Sequence, residues 1–245
     1  MNIIIPIAGP DNGNSDTEYI KSLQEIERKT VIQYVFETLG SIRDADVIVV
    51  VKRSDAVRYH LDDIIRLLAP GANIVMAEGE TMGAACTCLL TIDQLKLDEP
   101  LLILGSNQIL LENLQDIIDD FRKRDLDGGV AVFRDIHPRW SYVRLDENDN
   151  VIEAAEKRPI SQNAVAGMYY FKTASLFVES AKKMILKNAS VNGKFYVCPV
   201  YNEMVLAQKR IGVYRVDKSK YYNFSYDSGM DAFRAYLSSE RGDKQ

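Results

Sequence analysis

The first 125 residues alternate between short apolar runs and segments of helical periodicity, and this alternation limits the fold more than any other feature. Uninterrupted apolar runs are typical of parallel strands buried on both faces. Four of them occur, at 3–9 (IIIPIAG), 47–51 (VIVVV), 73–77 (NIVMA) and 101–105 (LLILG). Strands joined through helices form right-handed crossovers. The sequence therefore predicts an α/β fold, with a Rossmann-like, mostly parallel sheet flanked by helices.

The segments between these strands predict the helices. Residues 30–39 place apolar side chains at helical spacing, as do 81–92 and 111–125. The stretch at 55–68 (DAVRYHLDDIIRLL) predicts one continuous amphipathic helix. Its apolar stripe would contain Val57, Leu61, Ile64, Ile65 and Leu68.

From Gly128 the strands become shorter and more alternating, which indicates a mixed sheet. A helix is predicted at 175–187, a strand at 210–216 and a last helix at about 230–239. No linker rich in glycine, serine or proline separates the two parts. We therefore expect a single domain, 1–245, made of one half at 1–127 and another at 128–245.

Composition excludes several function classes. The formal net charge of -5 disfavours a nucleic-acid partner, which usually requires a basic face. No apolar run approaches the roughly 20 residues that span a bilayer, and no basic region precedes the first one, so we expect neither a membrane segment nor a signal peptide. The cysteines, Cys86, Cys88 and Cys198, lack metal-ligand spacing and indicate buried free thiols. A cytoplasmic protein is the expectation.

Parallel sheets bind ligands at the carboxyl ends of their strands, where the strand order switches. The loops after IIIPIAG and LLILG are therefore the first places to expect a site. No arrangement of serine, histidine and aspartate or of cysteine and histidine suggests a covalent nucleophile. His137, beside a proline, is better placed to shape a pocket than to act as a base.

Several spaced strings occur in a recognisable order along nearly the whole chain: AG with a lysine twelve residues later, TMGAA, GSNQIL, HPRWSYVRLDENDNVIEAAEKRP, AGMYYF, VNGKFYVCPVYNE and YDSGM. Together they resemble the nucleotide-diphosphate-sugar pyrophosphorylases, and most closely a capsule and surface-polysaccharide branch. The resemblance implies a nucleotide-diphospho-sugar transferase fold, with a nucleotide-binding half at 1–127 and an acceptor-binding half at 128–245. It also implies an NTP and a small phosphorylated acceptor as partners, Mg²⁺ as cofactor, and a homodimer.

On the nucleotide side, the resemblance places Ala8, Gly9 and Gly13 in the loop that wraps the triphosphate. It makes Lys21 a catalytic lysine on the phosphates, although a solvated surface lysine is the alternative. Gly83 matches a glycine beside base and ribose, with tight packing as an equal alternative. The loop departs from the family pattern because it contains no arginine.

The predicted metal ligands are Asn107 and Asp227, and Asp227 is also predicted to be catalytic. Relatives have an aspartate where this chain has Asn107. An amide oxygen can bind Mg²⁺ but brings no negative charge, so the resemblance implies a weakened site.

The acceptor side matches the pattern more fully. Glu156 and Lys157 correspond to a pair that holds the sugar and its phosphate, and Gly167 to a glycine that lies against the sugar ring. Trp140 and Tyr196 are predicted to line the same pocket. The alternatives are a surface charge for Lys157 and core packing for Trp140.

Two interpretations are open for Tyr196, Tyr201 and Asn202: they line the acceptor pocket, or they pack at an interface.

The resemblance favours an active nucleotidyltransferase that couples an NTP to a sugar phosphate or similar metabolite with release of pyrophosphate. The alternative is a catalytically impaired relative that binds a phosphorylated ligand or a partner and regulates polysaccharide biosynthesis. The sequence specifies neither base nor acceptor.

Overall fold

The computed structural model describes residues 1–8 and 20–242. Its strands are β1 Asn2–Pro6, β2 Glu25–Ile26, β3 Lys29–Thr30, β4 Asp46–Lys52, β5 Asn73–Ala77, β6 Leu101–Leu104, β7 Gln108–Leu110, β8 Gly128–Arg134, β9 Ser141–Leu145, β10 Val151–Glu156, β11 Asn163–Phe171, β12 Ile211–Arg215 and β13 Tyr221–Asn223. Its α-helices are α1 Val31–Leu39, α2 Arg53–Tyr59, α3 Leu61–Leu68, α4 Ala84–Leu89, α5 Leu114–Lys123, α6 Ala174–Leu186, α7 Val200–Leu206 and α8 Asp227–Gly242. Short 3₁₀ turns lie at Lys21–Leu23, Ile92–Gln94 and Lys218–Lys220.

The four apolar runs of the first half form the parallel part of the main sheet, as the sequence predicts. Strand β1 pairs with β4 on one side and β6 on the other, and β4 pairs with β5, all in parallel. Because the chain runs from β1 to β4 and β5 and then returns to β6 across β1, the strand order switches between β1 and β6. The loops that leave these two strands therefore flank the switch point.

The second half continues the same sheet. Strand β11 pairs with β6 and with β8 in antiparallel fashion, and β12 pairs with β8 in parallel. Strands β9 and β10 form an antiparallel hairpin, which joins β11 through the single pair Ala164 and Tyr142. The predicted α/β fold with a mixed, mostly parallel sheet and flanking helices is confirmed.

The single helix predicted at 55–68 is wrong. Helix α2 ends at Tyr59, His60 adopts a left-handed conformation with φ 52°, and α3 begins at Leu61. The break turns the chain, so Val57 of the predicted stripe is 75% exposed while Leu61 is fully buried. The hydrogen bonds from His60 N to Ala56 O (3.0 Å) and from Ile64 N to His60 O (3.0 Å) let the helical pattern pass through the turn.

Two apolar clusters cover the faces of the sheet, and local caps and buried hydroxyls fix the helices that pack there. Thr30 caps α1 through a capping box with Gln33, which satisfies donors at the helix start. On the other face, Tyr201 of α7 is fully buried and its hydroxyl donates to Gly129 O and Tyr170 O, both at 2.9 Å. Tyr201 is thus a packing residue rather than a pocket residue.

The structure also bears on the predictions for the cysteines and for membrane-spanning segments. Cys88 and Cys198 are buried free thiols as predicted, whereas Cys86 is only partly buried. Burial raises the pKa of the Cys86 thiol. Among the described residues, no helix is both long and apolar enough to cross a membrane.

Candidate active site

A cavity of about 410 Å³ opens at the carboxyl ends of β1, β6 and β10. Both loops expected to flank a site contribute to it, with Ile7 after β1 and Gly105 to Asn107 after β6, and Pro6 at the end of β1 also lines it. Further lining residues come from the loop before β9, the end of β10 and the segment between β13 and α8. Its lining residues are Pro6, Ile7, Ile20, Lys21, Ser22, Asp55, Ala84, Gly105, Ser106, Asn107, Arg139, Trp140, Glu156, Lys157, Tyr196, Asn223, Ser225 and Tyr226.

Lys21 lies at the start of a 3₁₀ turn and lines this cavity. Its ammonium is 3.8 Å from the carboxylate of Asp227, and the two side chains are 24% and 92% exposed. The structure thus brings the two predicted catalytic residues together, although Asp227 itself is not among the described lining residues. Ser22, next to Lys21, is 6% exposed and its hydroxyl has no hydrogen-bond partner among the described residues. An unpartnered buried hydroxyl in a cavity wall can bind a ligand oxygen.

The outcomes differ among the other residues predicted to bind the nucleotide, Ala8, Gly9, Gly13 and Gly83. Gly9 and Gly13 lie outside the described residues. Ala8 is fully buried in the core beneath the cavity rather than among its described lining residues. Gly83, with φ +114°, precedes α4, whose residue Ala84 lines the cavity. A Cβ on Gly83 would lie 2.4 Å from Phe195 O, so close packing against the Phe195 backbone by itself requires glycine here.

Asn107 occupies the position of the predicted metal ligand. Its side-chain Nδ2 donates to Ser225 Oγ at 2.5 Å, and its backbone carbonyl accepts from Phe224 N at 2.8 Å. These two bonds fasten the β6 loop to the segment that leads to Asp227. The amide therefore keeps its Oδ1 as a neutral oxygen ligand. No cluster of three carboxylate, histidine or cysteine ligands occurs among the described residues.

The donor set fits a magnesium ion carried by the substrate better than a resident one. Mg²⁺ commonly uses one or two carboxylates and completes its octahedron with waters and substrate phosphates. Asp227 provides one exposed carboxylate, and Asn107 one amide oxygen.

Glu156 is a partly buried carboxylate that lines the cavity. Burial raises the pKa of its carboxyl, while a hydrogen bond from Ser141 Oγ (2.5 Å) and the nearby Lys157 ammonium lower it by a smaller amount. Such a carboxylate is a strong acceptor for a ligand hydroxyl in a poorly hydrated pocket. The adjacent Lys157 has φ 54° and donates its backbone N–H to Trp140 O at 3.0 Å.

Lys157 and Tyr196 form one wall of the cavity. The ammonium of Lys157 is 3.3 Å from the Tyr196 hydroxyl and lies 5.3 Å from the ring centroid. Both side chains line the cavity, so Lys157 is more than a surface charge at a strand end. Asn202, whose role was open, binds Ala154 instead, accepting from its N–H and donating to its carbonyl, both at 2.8 Å.

Trp140 combines the two roles that the sequence leaves open. It is 8% exposed and packs edge-on against Phe133 and Tyr221, and it also lines the cavity. The loop before it is anchored by Asp135, which accepts from the backbone N–H groups of Ile136 and His137 and is 2.7 Å from the Lys218 ammonium. His137 is exposed and is not among the described lining residues.

Gly167 is also absent from the described residues that line the cavity. Its φ is +62°, and it lies in the bulge where β11 exchanges β9 for β6 as a neighbour. A Cβ at this position would lie 1.6 Å from Gln108 Nε2. The space against the Gly167 backbone is therefore filled by the Gln108 side chain, and contact with a sugar ring stays a prediction.

Sequence reasoning missed Arg139 and Tyr226. The guanidinium of Arg139 contacts two rings, 4.4 Å from the centroid of Trp140 and 5.0 Å from that of Tyr226. The string HPRWS contains the signal, since an arginine beside a tryptophan in a loop favours stacking. Its second ring, however, comes from a distant part of the chain.

The family described as Nucleotidyl transferase matches residues 16–198. The chain belongs to that family. Among curated proteins, the low-salt glycan biosynthesis nucleotidyltransferase Agl11 of Haloferax volcanii is 25% identical over 162 residues, which cover 63% of this chain and 44% of that protein. The match thus spans less than half of this nucleotidyltransferase relative.

Solved structures show the same fold. The nucleoside-diphosphate-sugar pyrophosphorylase of Vibrio cholerae RC9 superposes with a TM-score of 0.82 at 19% identity, covering 95% of this chain and 99% of that one. A UDP-glucose pyrophosphorylase bound to UDP-glucose gives 0.78 at 17% identity over 97% and 98%. A putative glucose-1-phosphate thymidylyltransferase of Bacillus anthracis, in complex with a sucrose, gives 0.73 at 16% identity over 96% and 94%.

Proposed function

We propose that this nucleotidyltransferase couples an NTP to a sugar phosphate or similar small phosphorylated acceptor and releases pyrophosphate. The observation that carries the proposal is that Lys21, Asn107, Glu156 and Lys157 line one cavity at the carboxyl ends of the strands. A site with a cationic nucleotide side and a carboxylate–lysine acceptor side suits two substrates held side by side. The Agl11 match supports a role in glycan synthesis, and we place the reaction in a surface-polysaccharide pathway in the cytoplasm.

In the proposed reaction an oxygen of the acceptor phosphate attacks the α-phosphorus of the nucleotide. The new P–O bond forms as the bond to the β-phosphate breaks, and pyrophosphate leaves with the electron pair. Such transfers require positioning and charge neutralisation rather than a covalent nucleophile. Lys21 would neutralise nucleotide phosphates, and Lys157 would hold the phosphate of the acceptor substrate. Glu156 would accept a hydrogen bond from a hydroxyl of that substrate. Mg²⁺, held by Asp227 and Asn107, would neutralise further phosphate charge.

Turnover tests the proposal directly. The protein is incubated with each of the four NTPs and dTTP, a panel of sugar 1-phosphates, and Mg²⁺, and pyrophosphate release is measured. Release that requires both one nucleotide and one acceptor supports the transferase. Selective binding of a sugar phosphate by a folded protein that releases no pyrophosphate would instead support the non-catalytic regulator.

The variant Asn107→Asp tests the metal ligands. Ser225 can reverse its hydroxyl and donate to the new carboxylate, so the local bond survives. An added unit charge at about 4 Å is worth about 1 kcal/mol even in bulk water, so the Mg²⁺ concentration for half-maximal turnover should fall about fivefold or more. Asn148→Asp, at an exposed turn, adds the same charge outside the cavity and should leave it unchanged. An unaltered Mg²⁺ dependence in Asn107→Asp would remove Asn107 from the metal site.

A further inference from the structure

We propose that Arg139 binds a phosphate group of the substrates and supplies positive charge that the glycine loop does not encode. The inference rests on the proposed function, because it concerns the same cavity. Residues 9–20 contain no lysine or arginine, and they contain three acids, Asp11, Asp16 and Glu18. A nucleotide triphosphate is strongly anionic, so its cation partners have to come from elsewhere in the chain.

The described lining of the cavity contains three cations, Lys21, Arg139 and Lys157. Two carboxylates, Asp55 and Glu156, also line it, and burial raises the pKa of Glu156. The lysines come from different elements, Lys21 from the 3₁₀ turn before β2 and Lys157 from the position after β10. Arg139 comes from a third element, the loop between β8 and β9, and is positioned independently of both.

Arg139 is held in a way that leaves its donors for a ligand. The guanidinium carbon lies over the Trp140 ring and over the Tyr226 ring, and contacts with ring faces use none of the N–H donors of the guanidinium. Its Nε is buried without a hydrogen-bond partner, and no carboxylate forms an ion pair with it within the described parts of the chain. A buried N–H donor without a partner is costly unless a ligand accepts its hydrogen bond.

The second ring of this stack places Arg139 near the predicted catalytic pair. Tyr226 is the residue immediately before Asp227, whose carboxylate is 3.8 Å from the Lys21 ammonium. Arg139 and Lys21 therefore contact neighbouring residues of one segment, Tyr226 and Asp227. A phosphate at this corner of the cavity would meet a bidentate donor from Arg139 and a point charge from Lys21.

A packing role for Arg139 would predict a different outcome. If the guanidinium only covers Trp140, replacing it lowers the free energy of unfolding and leaves ligand affinity unchanged. Arg139→Met keeps most of the packing volume and removes the charge and donors. Arg139→Lys keeps the charge but loses the planar fork. Arg58, whose guanidinium stacks 5.1 Å from the Tyr59 ring and is not among the described lining residues, offers Arg58→Met as a control with the same change in net charge.

The experiment is calorimetric titration of each variant with pyrophosphate and, separately, with glucose 1-phosphate, together with thermal unfolding. Removing one charge-assisted hydrogen-bonding group should weaken binding about 10- to 100-fold in Arg139→Met, with an intermediate loss in Arg139→Lys. Arg58→Met should bind as the wild type does. Loss with pyrophosphate alone assigns Arg139 to the nucleotide phosphates, and loss with glucose 1-phosphate alone to the acceptor phosphate.

Equal affinity of wild type and Arg139→Met for both ligands overturns the inference and leaves the proposed function standing. Loss of affinity in Arg58→Met as large as in Arg139→Met also overturns it, because the effect would then be one of net charge. A wild type that binds neither ligand overturns both the inference and the phosphate site on which the proposed function depends.

Discussion

Substituting Gly167 by alanine should destabilise the protein through one identifiable contact. The residue has φ +62°, a conformation that side chains other than glycine rarely adopt. A Cβ placed there would lie 1.6 Å from Gln108 Nε2 and 2.2 Å from Gln108 Cδ. Gln108 cannot simply leave, because its Oε1 accepts from the Tyr221 hydroxyl at 2.8 Å and its Nε2 donates to Ala166 O at 3.4 Å.

The magnitude follows from these two costs. A left-handed conformation costs a residue other than glycine about 1–2 kcal/mol. Displacing Gln108 loses hydrogen bonds worth about 0.5–1.5 kcal/mol each. Gly167→Ala should therefore reduce the free energy of unfolding by about 2–5 kcal/mol. For a chain of this size that lowers the melting temperature by about 4–20 °C.

Urea denaturation followed by the fluorescence of the single tryptophan measures the effect. Gly193→Ala is the matched control, since Gly193 has φ +71° and open space where its Cβ would lie. That variant should show only the conformational cost, about 1–2 kcal/mol. In a Gln108→Ala background, Gly167→Ala should fall to the same value, because the obstructing side chain is gone. The reasoning is refuted if Gly167→Ala costs no more than Gly193→Ala, or if removing Gln108 brings no relief.

Three further predictions concern single side chains. An acceptor hydroxyl bound to Glu156 requires its carboxylate, and burial raises the pKa of Glu156, so acceptor affinity should fall as the pH falls through a value above the ordinary carboxyl range; Glu156→Gln should flatten the pH profile measured by titration calorimetry. Burial works to raise the pKa of Asp135, but the Lys218 ammonium and two backbone N–H groups outweigh it and hold that pKa well below the usual range. Its stabilising contribution is thus present above the ordinary pKa of about 3.9 and lost as the pH falls towards the lowered value; Asp135→Ala should unfold about 1–3 kcal/mol more easily at neutral pH, with the gap to wild type narrowing in acid. Tyr201→Phe leaves two buried carbonyls without their shared donor and should cost about 1–3 kcal/mol in denaturant unfolding, and an unchanged midpoint would contradict the hydrogen bonding described for this hydroxyl.

The parts of the fold that the sequence predicts are those governed by local pattern. Apolar runs such as VIVVV report burial on both faces directly, and their loops therefore indicated the correct edge of the sheet. The break at His60 escaped prediction because the apolar spacing of α2 and α3 remains helical across it. The residue there is neither glycine nor proline, and only the observed φ of 52° reveals the turn.

The residues of the site also differ in whether local sequence patterns predict their placement. Lys21, Asn107, Glu156 and Lys157 could be placed together from strings whose order in the chain is characteristic, and the structure brings them to one cavity. The surroundings of Gly167 and Arg139 could not be foreseen. The Gln108 side chain fills the space beside Gly167, and the Tyr226 ring contacts the Arg139 guanidinium. These contacts join segments that are remote in sequence, and no local periodicity encodes them.

The β9–β10 hairpin is joined to the main sheet by fewer strand pairings than β1 and β6 are. Strands β1 and β6, which precede the predicted nucleotide-binding loops, have hydrogen-bonded neighbours on both sides. The hairpin ends at the predicted acceptor residues, pairs with β11 at one register pair, bridges to Gly212 through Asn150, and binds the Asn202 amide at Ala154. We therefore expect adjustment to acceptors of different size to occur in the hairpin rather than in β1 and β6. Amide exchange should accordingly be slowest in β1 and β6, and an acceptor should protect β10 more than either of them.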